Sequence, residues 1–254
     1  LEELIRNARP SNSSRNNKRH PTRDRPQLFP HVSSHDVSAF LSEAVPGLSA
    51  KVFRTHHATE VVSDSLEAVK VGADDPVYLK WKAASLANLE AAVLCNHTKK
   101  ESATWPQRKA RMQERVDRAE KLLEKRRQEV KAAREVLSAL REEAKVKLAA
   151  MDSPKAKERI RASYGKRIAR AEDKLQMARQ REDRAKETLG KLKAQMLVAS
   201  RNRAWNLVTS LKSYIDPRVY HRWGKQVGYD VLGAYYPTTL RRKFAWAKRE
   251  DEQG

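Results

Sequence analysis

Between Met112 and Met196 two apolar series run through the chain as mirror images, and they admit few folds other than a long helical hairpin. The first reads Met112, Val116, Ala119, Leu123, Arg126, Val130, Ala133, Leu137, Leu140 and Ala144. The second reads Tyr164, Ile168, Ala171, Leu175, Ala178, Glu182, Ala185, Leu189, Leu192 and Met196. Steps of four and three alternate, the a/d repeat of helices packed along a seam. Each position of the first series stands as far before residue 154 as its partner stands after it. That residue is Pro154, preceded by Asp152 and Ser153, which suit the entry to a helix. The spacing predicts an antiparallel coiled coil over 107–200 that turns near Pro154, with arms on the order of 60–70 Å long. Arg126 and Glu182, the charged seam positions, fall opposite each other and are expected to pair. Alanine fills many seam positions, so the hairpin should be slender.

Composition extends the helical reading to the whole chain. A third of the residues are charged (33%), hydrophobics reach only 39%, and there are 8 glycines. That is the profile of solvated helices, and the fold class expected is mainly α. A formal charge of +21 points to a polyanionic partner, nucleic acid or an anionic membrane surface. Over 107–200 alone, 28 Lys and Arg stand against 15 Asp and Glu, a surplus of 13. The seam consumes the apolar residues of the hairpin and leaves no wide face for lipid. No apolar run is long enough to span a bilayer, and no signal-peptide core is present. A lone cysteine, Cys95, excludes an internal disulfide framework and fits a reducing intracellular setting.

Four regions are expected. Residues 1–27 read as a basic arm or loop, rich in Arg, Asn, Ser and Lys, suited to tracking phosphates without reading bases. Its start, Leu1-Glu2-Glu3-Leu4-Ile5, reads like the tail of a helix, so the chain is expected to be a fragment. Residues 28–106 read as a compact helical portion. Ser33 or Ser34 caps a helix through Val37, Phe40, Leu41 and Ala44 that ends at Pro46-Gly47. A short strand is expected around Val52, a second helix after Arg54 through Val69, and a third opening at Asp74-Asp75-Pro76 and running to Cys95. Residues 107–200 are the hairpin. Residues 201–254 form a small helical domain anchored by aromatics: a helix into Tyr214, another from Asp216-Pro217 stopping at Gly224, and a last one capped by Thr238 or Thr239.

Tyr214 stands between Lys212 and Arg218. A phenol with a reference pKa near ~10 is a poor nucleophile at neutral pH unless cations or hydrogen bonds activate it. By itself the pattern also describes an ordinary amphipathic surface tyrosine. Arg54 alone reads equally as a surface or capping arginine, and His97 as a histidine at a helix C-terminus. Arg54, His56, His57 and His97 raise the question of a metal, but the lone cysteine and the lack of carboxylate spacing argue against zinc.

Three stretches together are more specific. Gly47-Leu48-Ser49-Ala50-Lys51-Val52-Phe53-Arg54-Thr55, Leu94-Cys95-Asn96-His97 and Ser210-Leu211-Lys212-Ser213-Tyr214-Ile215-Asp216-Pro217-Arg218 occur in this order, with a long charged insert before the third. They resemble the signatures of type IB DNA topoisomerases, eukaryotic and archaeal, over roughly residue 28 to the end. The resemblance implies Tyr214 as the nucleophile, Arg54 and His97 as catalytic donors, and Lys51, Thr55, Asn96, Lys212 and Arg218 near DNA. It implies relaxation of supercoils through a 3′-phosphotyrosyl intermediate, with double-stranded DNA as partner and neither ATP nor metal as cofactor. It further implies a monomer on chromosomal DNA, in a nucleus or a nucleoid. Two departures stand out. Ser213 replaces the family's Asn before the tyrosine, and the lysine stands one place later than usual. The family's further arginine and lysine have no matching motif before Leu28; Lys18 and Arg19 lie in a context that does not fit. The upstream core portion is therefore an expected partner, and this chain alone is expected to relax supercoils poorly or not at all.

Two other classes remain open on the residues. A basic coiled-coil module that binds or packages DNA would make Tyr214→Phe silent. A tyrosine recombinase would share the tyrosine, arginine and histidine, but the long insert and the absence of a sequence-reading motif count against it.

Overall fold

The computed structural model of the chain describes residues 9, 10, 26, 27, 29 and 31–249. The basic arm expected over 1–27, with Lys18 and Arg19, lies outside them apart from one short antiparallel pair, β1 (Arg9–Pro10) with β2 (Pro26–Gln27). From residue 31 onward the described elements are helical.

Helix α1 (Ser34–Ala44) starts in a capping box. The Ser33 hydroxyl accepts from the Asp36 N–H, and the Asp36 carboxylate accepts from the Ser33 N–H at 2.7 Å. This helix buries no residue, and Phe40 is 71% exposed. Gly47 turns the chain with φ +80°, and α2 (Ala50–Ala68) begins three residues later. There is thus no strand at Val52. The β-leaning Val-Phe pair is overridden because Gly47 supplies the turn and the next helix starts at once. Lys51, Arg54 and Thr55 consequently share the first two turns of α2. Its Ala58, Val62 and Leu66, at spacing four, are buried. Helix α3 (Val77–Leu94) has Pro76 at its N-cap, while the Asp75 carboxylate accepts from the Gly72 N–H and closes the preceding turn. Its buried Ala83, Ala84, Ala87 and Ala91 let neighbouring backbones approach closely.

Helices α4 (Trp105–Ala149) and α5 (Pro154–Arg201) form the hairpin, with Ser153 at the N-cap and Pro154 as first helical residue. Every one of the expected seam residues is buried or half-buried. Val130, Leu137, Ala171, Leu175 and Ala178 form its apolar centre. Arg126 and Glu182 do not pair with each other. Arg126 turns along its own helix to Glu129 at 2.7 Å, and Glu182 meets Arg127 at 3.8 Å. A partner at i+3 is within reach of a guanidinium that leans out of the seam. Ion pairs across the arms lie on the flanks instead, Arg141 with Glu172 at 2.6 Å and Lys193 with Glu120 at 2.7 Å. Near the root Ala194 and Val198 are buried where α5 also packs on α3.

Five short helices follow: α6 (Leu207–Ser213), α7 (Pro217–Gln226), α8 (Val231–Ala234), α9 (Thr238–Lys243) and α10 (Trp246–Arg249). Gly224 does not stop α7, which runs on to a turn at Gly228 with φ +62°. Glycine is needed at 224 because a Cβ there would strike the Tyr229 carbonyl oxygen. The single last helix expected from the sequence is two. It is broken after Lys243, and Pro237 rather than a threonine holds the N-cap of α9. The sequence places Trp205, Leu207, Val208 and Leu211 on one side of the helix into Tyr214, but Val208 is 50% exposed and Trp205 precedes α6.

The segments on either side of the hairpin share one core. Val62, Leu66, Ala84 and Ala87 pack with Leu211, Ile215, Tyr220, Trp223 and Tyr236. The Tyr220 hydroxyl crosses between them to donate to the Ala84 carbonyl at 3.1 Å. At the hairpin's root the chain zips onto itself. The Lys99 N–H donates to the Ala204 carbonyl at 2.8 Å, and the Asn206 N–H donates to the His97 carbonyl at 2.7 Å. No described helix is long and apolar enough to cross a membrane.

Candidate active site around Tyr214

Three helix ends meet at Tyr214. The residue is the C-cap of α6, and its N–H, like that of Ile215, donates to the Ser210 carbonyl. Asp216 then caps α7, its carboxylate accepting from the Arg218 N–H at 2.9 Å. Tyr214 therefore occupies a hinge between two helices, with its backbone held on both sides.

Helix α3 delivers His97 through a left-handed ending. Asn96 has φ +53°, its N–H donates to the Val93 carbonyl, and the His97 N–H donates back to Ala92 at 2.8 Å. This is the double bond of a Schellman ending, and asparagine is the residue after glycine that best tolerates the conformation. The Leu94-Cys95-Asn96-His97 stretch thus turns the chain so that His97 faces α6. The ring lies 4.9 Å from the Tyr214 ring, centroid to centroid, and its Nδ1 is 2.9 Å from the Ser210 hydroxyl. Burial, followed by the nearby Arg54 charge, holds the His97 pKa below the ordinary value of 6.5. Burial likewise pushes the Cys95 thiol up, with Arg54 opposing.

Helix α2 supplies the cations. The Lys51 ammonium and the Arg54 guanidinium lie 5.9 and 5.8 Å from the centre of the Tyr214 ring. They are one turn apart, and both side chains reach the same aromatic because α2 starts at Ala50. Lys51, Thr55, Thr59 and Asp216 also line an open groove alongside.

The other residues singled out in the sequence are dispersed around this centre. Asn96 is exposed at the turn before His97. Lys212 is exposed on the last turn of α6, and its carbonyl accepts from the Lys243 ammonium at 2.9 Å. The Arg218 guanidinium grips the Asp216 carboxylate, with Nη2 to Oδ2 at 2.6 Å, and lies over the Trp246 ring. Burial works to raise the Asp216 pKa, but the Arg218 hydrogen bonds and charge outweigh it and hold the carboxyl below 3.8. His56 and His57 both turn to Glu60, at 3.2 and 3.1 Å.

Sequence reading missed three residues that hold the site together. The Thr59 hydroxyl accepts from the Asp216 N–H at 3.1 Å and donates to Thr55. Buried Asn88 donates to the Leu207 carbonyl at 3.2 Å and the Tyr235 hydroxyl at 2.8 Å, fixing the start of α6. Ser210 touches His97. The one signal in the sequence was spacing, since Thr59 lies four residues after Thr55 and Ser210 four before Tyr214.

Tyr214 is thus held between two helices and ringed by a lysine, an arginine and a histidine. The catalytic-core model of eukaryotic DNA topoisomerase I matches residues 12–130, and the C-terminal topoisomerase domain matches residues 186–253. DNA topoisomerase 1 of Homo sapiens is 28% identical over 220 residues, 87% of this chain and 25% of that protein. The Mus musculus protein is 29% identical over the same length, and the mitochondrial DNA topoisomerase I of Homo sapiens 27% over 223 residues, 32% of its length. Two models of one enzyme, matched in order across most of the chain, place it in the eukaryotic DNA topoisomerase I family, of type IB, as a C-terminal part. The chain spans about a quarter to a third of these relatives. The stretch 131–185, most of the distal hairpin, falls between the two matches.

Proposed function

We propose that this chain carries the nucleophile and part of the charge-stabilising set of a type IB DNA topoisomerase. The observation that supports it best is the convergence on Tyr214 of Lys51 and Arg54 from α2 and of His97 from the end of α3. The Tyr214 oxygen attacks a backbone phosphorus in line. The new bond is the 3′-phosphotyrosine, the bond broken is phosphorus to the 5′-oxygen, and the departing 5′-oxygen takes up a proton. Attack by that hydroxyl reverses the step and reseals the strand after the duplex has rotated.

Negative charge spreads over the non-bridging oxygens in the transition state, and this is where Arg54 and a His97 N–H belong. Lys51, Thr55, Asn96, Lys212 and Arg218 line the approaches and would meet the sugar–phosphate backbone. The division of labour follows the chain. Residues 28–106 and 201–254 hold the chemistry, while the basic hairpin of 107–200 lies beside the duplex and slows its rotation by charge. The proton donor to the 5′-oxygen comes from the upstream core portion, which is the chain's partner on chromosomal DNA.

The test is a nicked suicide duplex incubated with the chain, alone and with the upstream portion added, followed by a search for denaturation-resistant adduct. The expected result is adduct that maps to Tyr214, needs the upstream portion, and disappears in Tyr214→Phe while duplex binding persists. Absence of adduct in both mixtures, with salt-sensitive binding intact, would leave a basic coiled-coil DNA-binding module.

A further inference from the structure

We infer that Ser210 is a positioning residue that selects the tautomer of His97, leaving the proton on the outward Nε2. The inference rests on the proposed reaction for its consequence but not for its evidence, which is geometric. Ser210 is fully buried, and its hydroxyl stands 2.9 Å from His97 Nδ1. Other hydroxyls on these helices turn back to the carbonyl four residues earlier, as Ser38, Thr59 and Thr188 do. Ser210 does not, and among the described residues His97 is the partner its hydroxyl has.

The two directions of that hydrogen bond are not equivalent. If Nδ1–H donated to the serine, the serine proton would be left without an acceptor in a place closed to water, which costs free energy. Donation from Ser210 to Nδ1 satisfies both groups and places the ring proton on Nε2. That nitrogen is then a donor without the ring being charged, as a developing oxyanion requires. The fixed charge near His97 is the Arg54 guanidinium, which together with burial favours the neutral ring in which a tautomer must be chosen.

Ser210 also sets where this donor stands relative to the nucleophile. Its carbonyl accepts from the N–H groups of Tyr214 at 2.9 Å and Ile215 at 3.1 Å. One residue thus holds His97 by its side chain and Tyr214 by its backbone, and the two cannot drift independently.

The experiment uses the chain labelled with ¹⁵N, its His97 signals assigned by loss in His97→Gln. Above the His97 titration, two-bond proton–nitrogen spectra should show Nδ1 unprotonated and Nε2 protonated. In Ser210→Ala the two shifts should move toward each other as tautomers mix, and Ser210→Thr should restore the separation. A protonated Nδ1 in the unsubstituted chain overturns the inference, whether or not the variants fold. So does a Ser210→Ala spectrum in which both ring nitrogens are unchanged. With the upstream portion present, Ser210→Ala should slow adduct formation about tenfold, less than the 10²–10³-fold typical of losing an oxyanion donor outright. If the unsubstituted chain forms no adduct, the proposed reaction fails while the spectra still decide the tautomer.

Discussion

Thr59 lies a turn beyond the cations of α2, and its hydroxyl accepts from the N–H of Asp216, two residues after Tyr214. Replacing it by valine keeps the shape but leaves the Asp216 N–H without its acceptor. A stability loss of about 1 kcal/mol is expected, read as a lower urea midpoint at unchanged slope. An unchanged midpoint would mean that water takes over the bond and that the hinge at Tyr214 is not held from α2. Thr59 also shows where single-residue legibility ends. Tyr214, Arg54 and His97 could be picked out because each sits in a short stretch of distinctive residue types. The roles of Thr59 and of Ser210, which opens the stretch that holds Tyr214, could not be read, because their partners are 157 and 113 residues away and a serine or threonine hydroxyl carries no pattern of its own. Arg218 shows what a residue type leaves unsaid. Its charge near the tyrosine was legible, but not that its guanidinium also holds the Asp216 carboxylate.

Helices α4 and α5 were readable nearly to the residue because a seam is a local, repeating signal in which each turn restates the last. What the repeat could not convey was the choice made by a charged seam residue between two carboxylates, since Arg126 has one across the arms and one along its own helix. Glycine misled in the other direction. Gly224 looked like a helix stop, yet α7 continues through it, and the residue is small because the Tyr229 backbone crosses there. Gly224→Ala is therefore expected to destabilise the protein by about 1–3 kcal/mol, since a carbonyl cannot swing aside as a side chain can. Thermal unfolding checks this; a variant as stable as its parent would place the Tyr229 backbone further from α7 than described.

Across the whole molecule, composition announced solvated helices but not which of them share a core. Contacts between α2 or α3 and the last five helices join segments more than a hundred residues apart, and no periodicity links such segments. Tyrosines carry much of that junction, and burial pushes their phenols up, Tyr235 from 10.0 to about 12, with Tyr220 and Tyr236 also raised. The folded chain thus holds these protons more tightly than the unfolded one. The stabilisation is whole below pH 10 and is lost as pH rises toward 12. Alkaline titration followed at the tyrosinate band should show these phenols ionising together with loss of helical signal. Ionisation of all seven tyrosines before any unfolding would contradict the shared core.

The zipped root between residues 97–99 and 204–206 has a consequence for how such a chain can vary. To the cluster around Tyr214, the hundred or so residues between those points are a detour that leaves and returns at one doorway. Its reach can change without notice there, provided both arms gain or lose the same number of heptads and the mirror about residue 154 is kept. An unequal change would throw the returning strand out of step at the threshold, and the fault would surface at His97 and α6 rather than at the distant tip. Length is thus a free variable of this architecture, and symmetry is the constrained one.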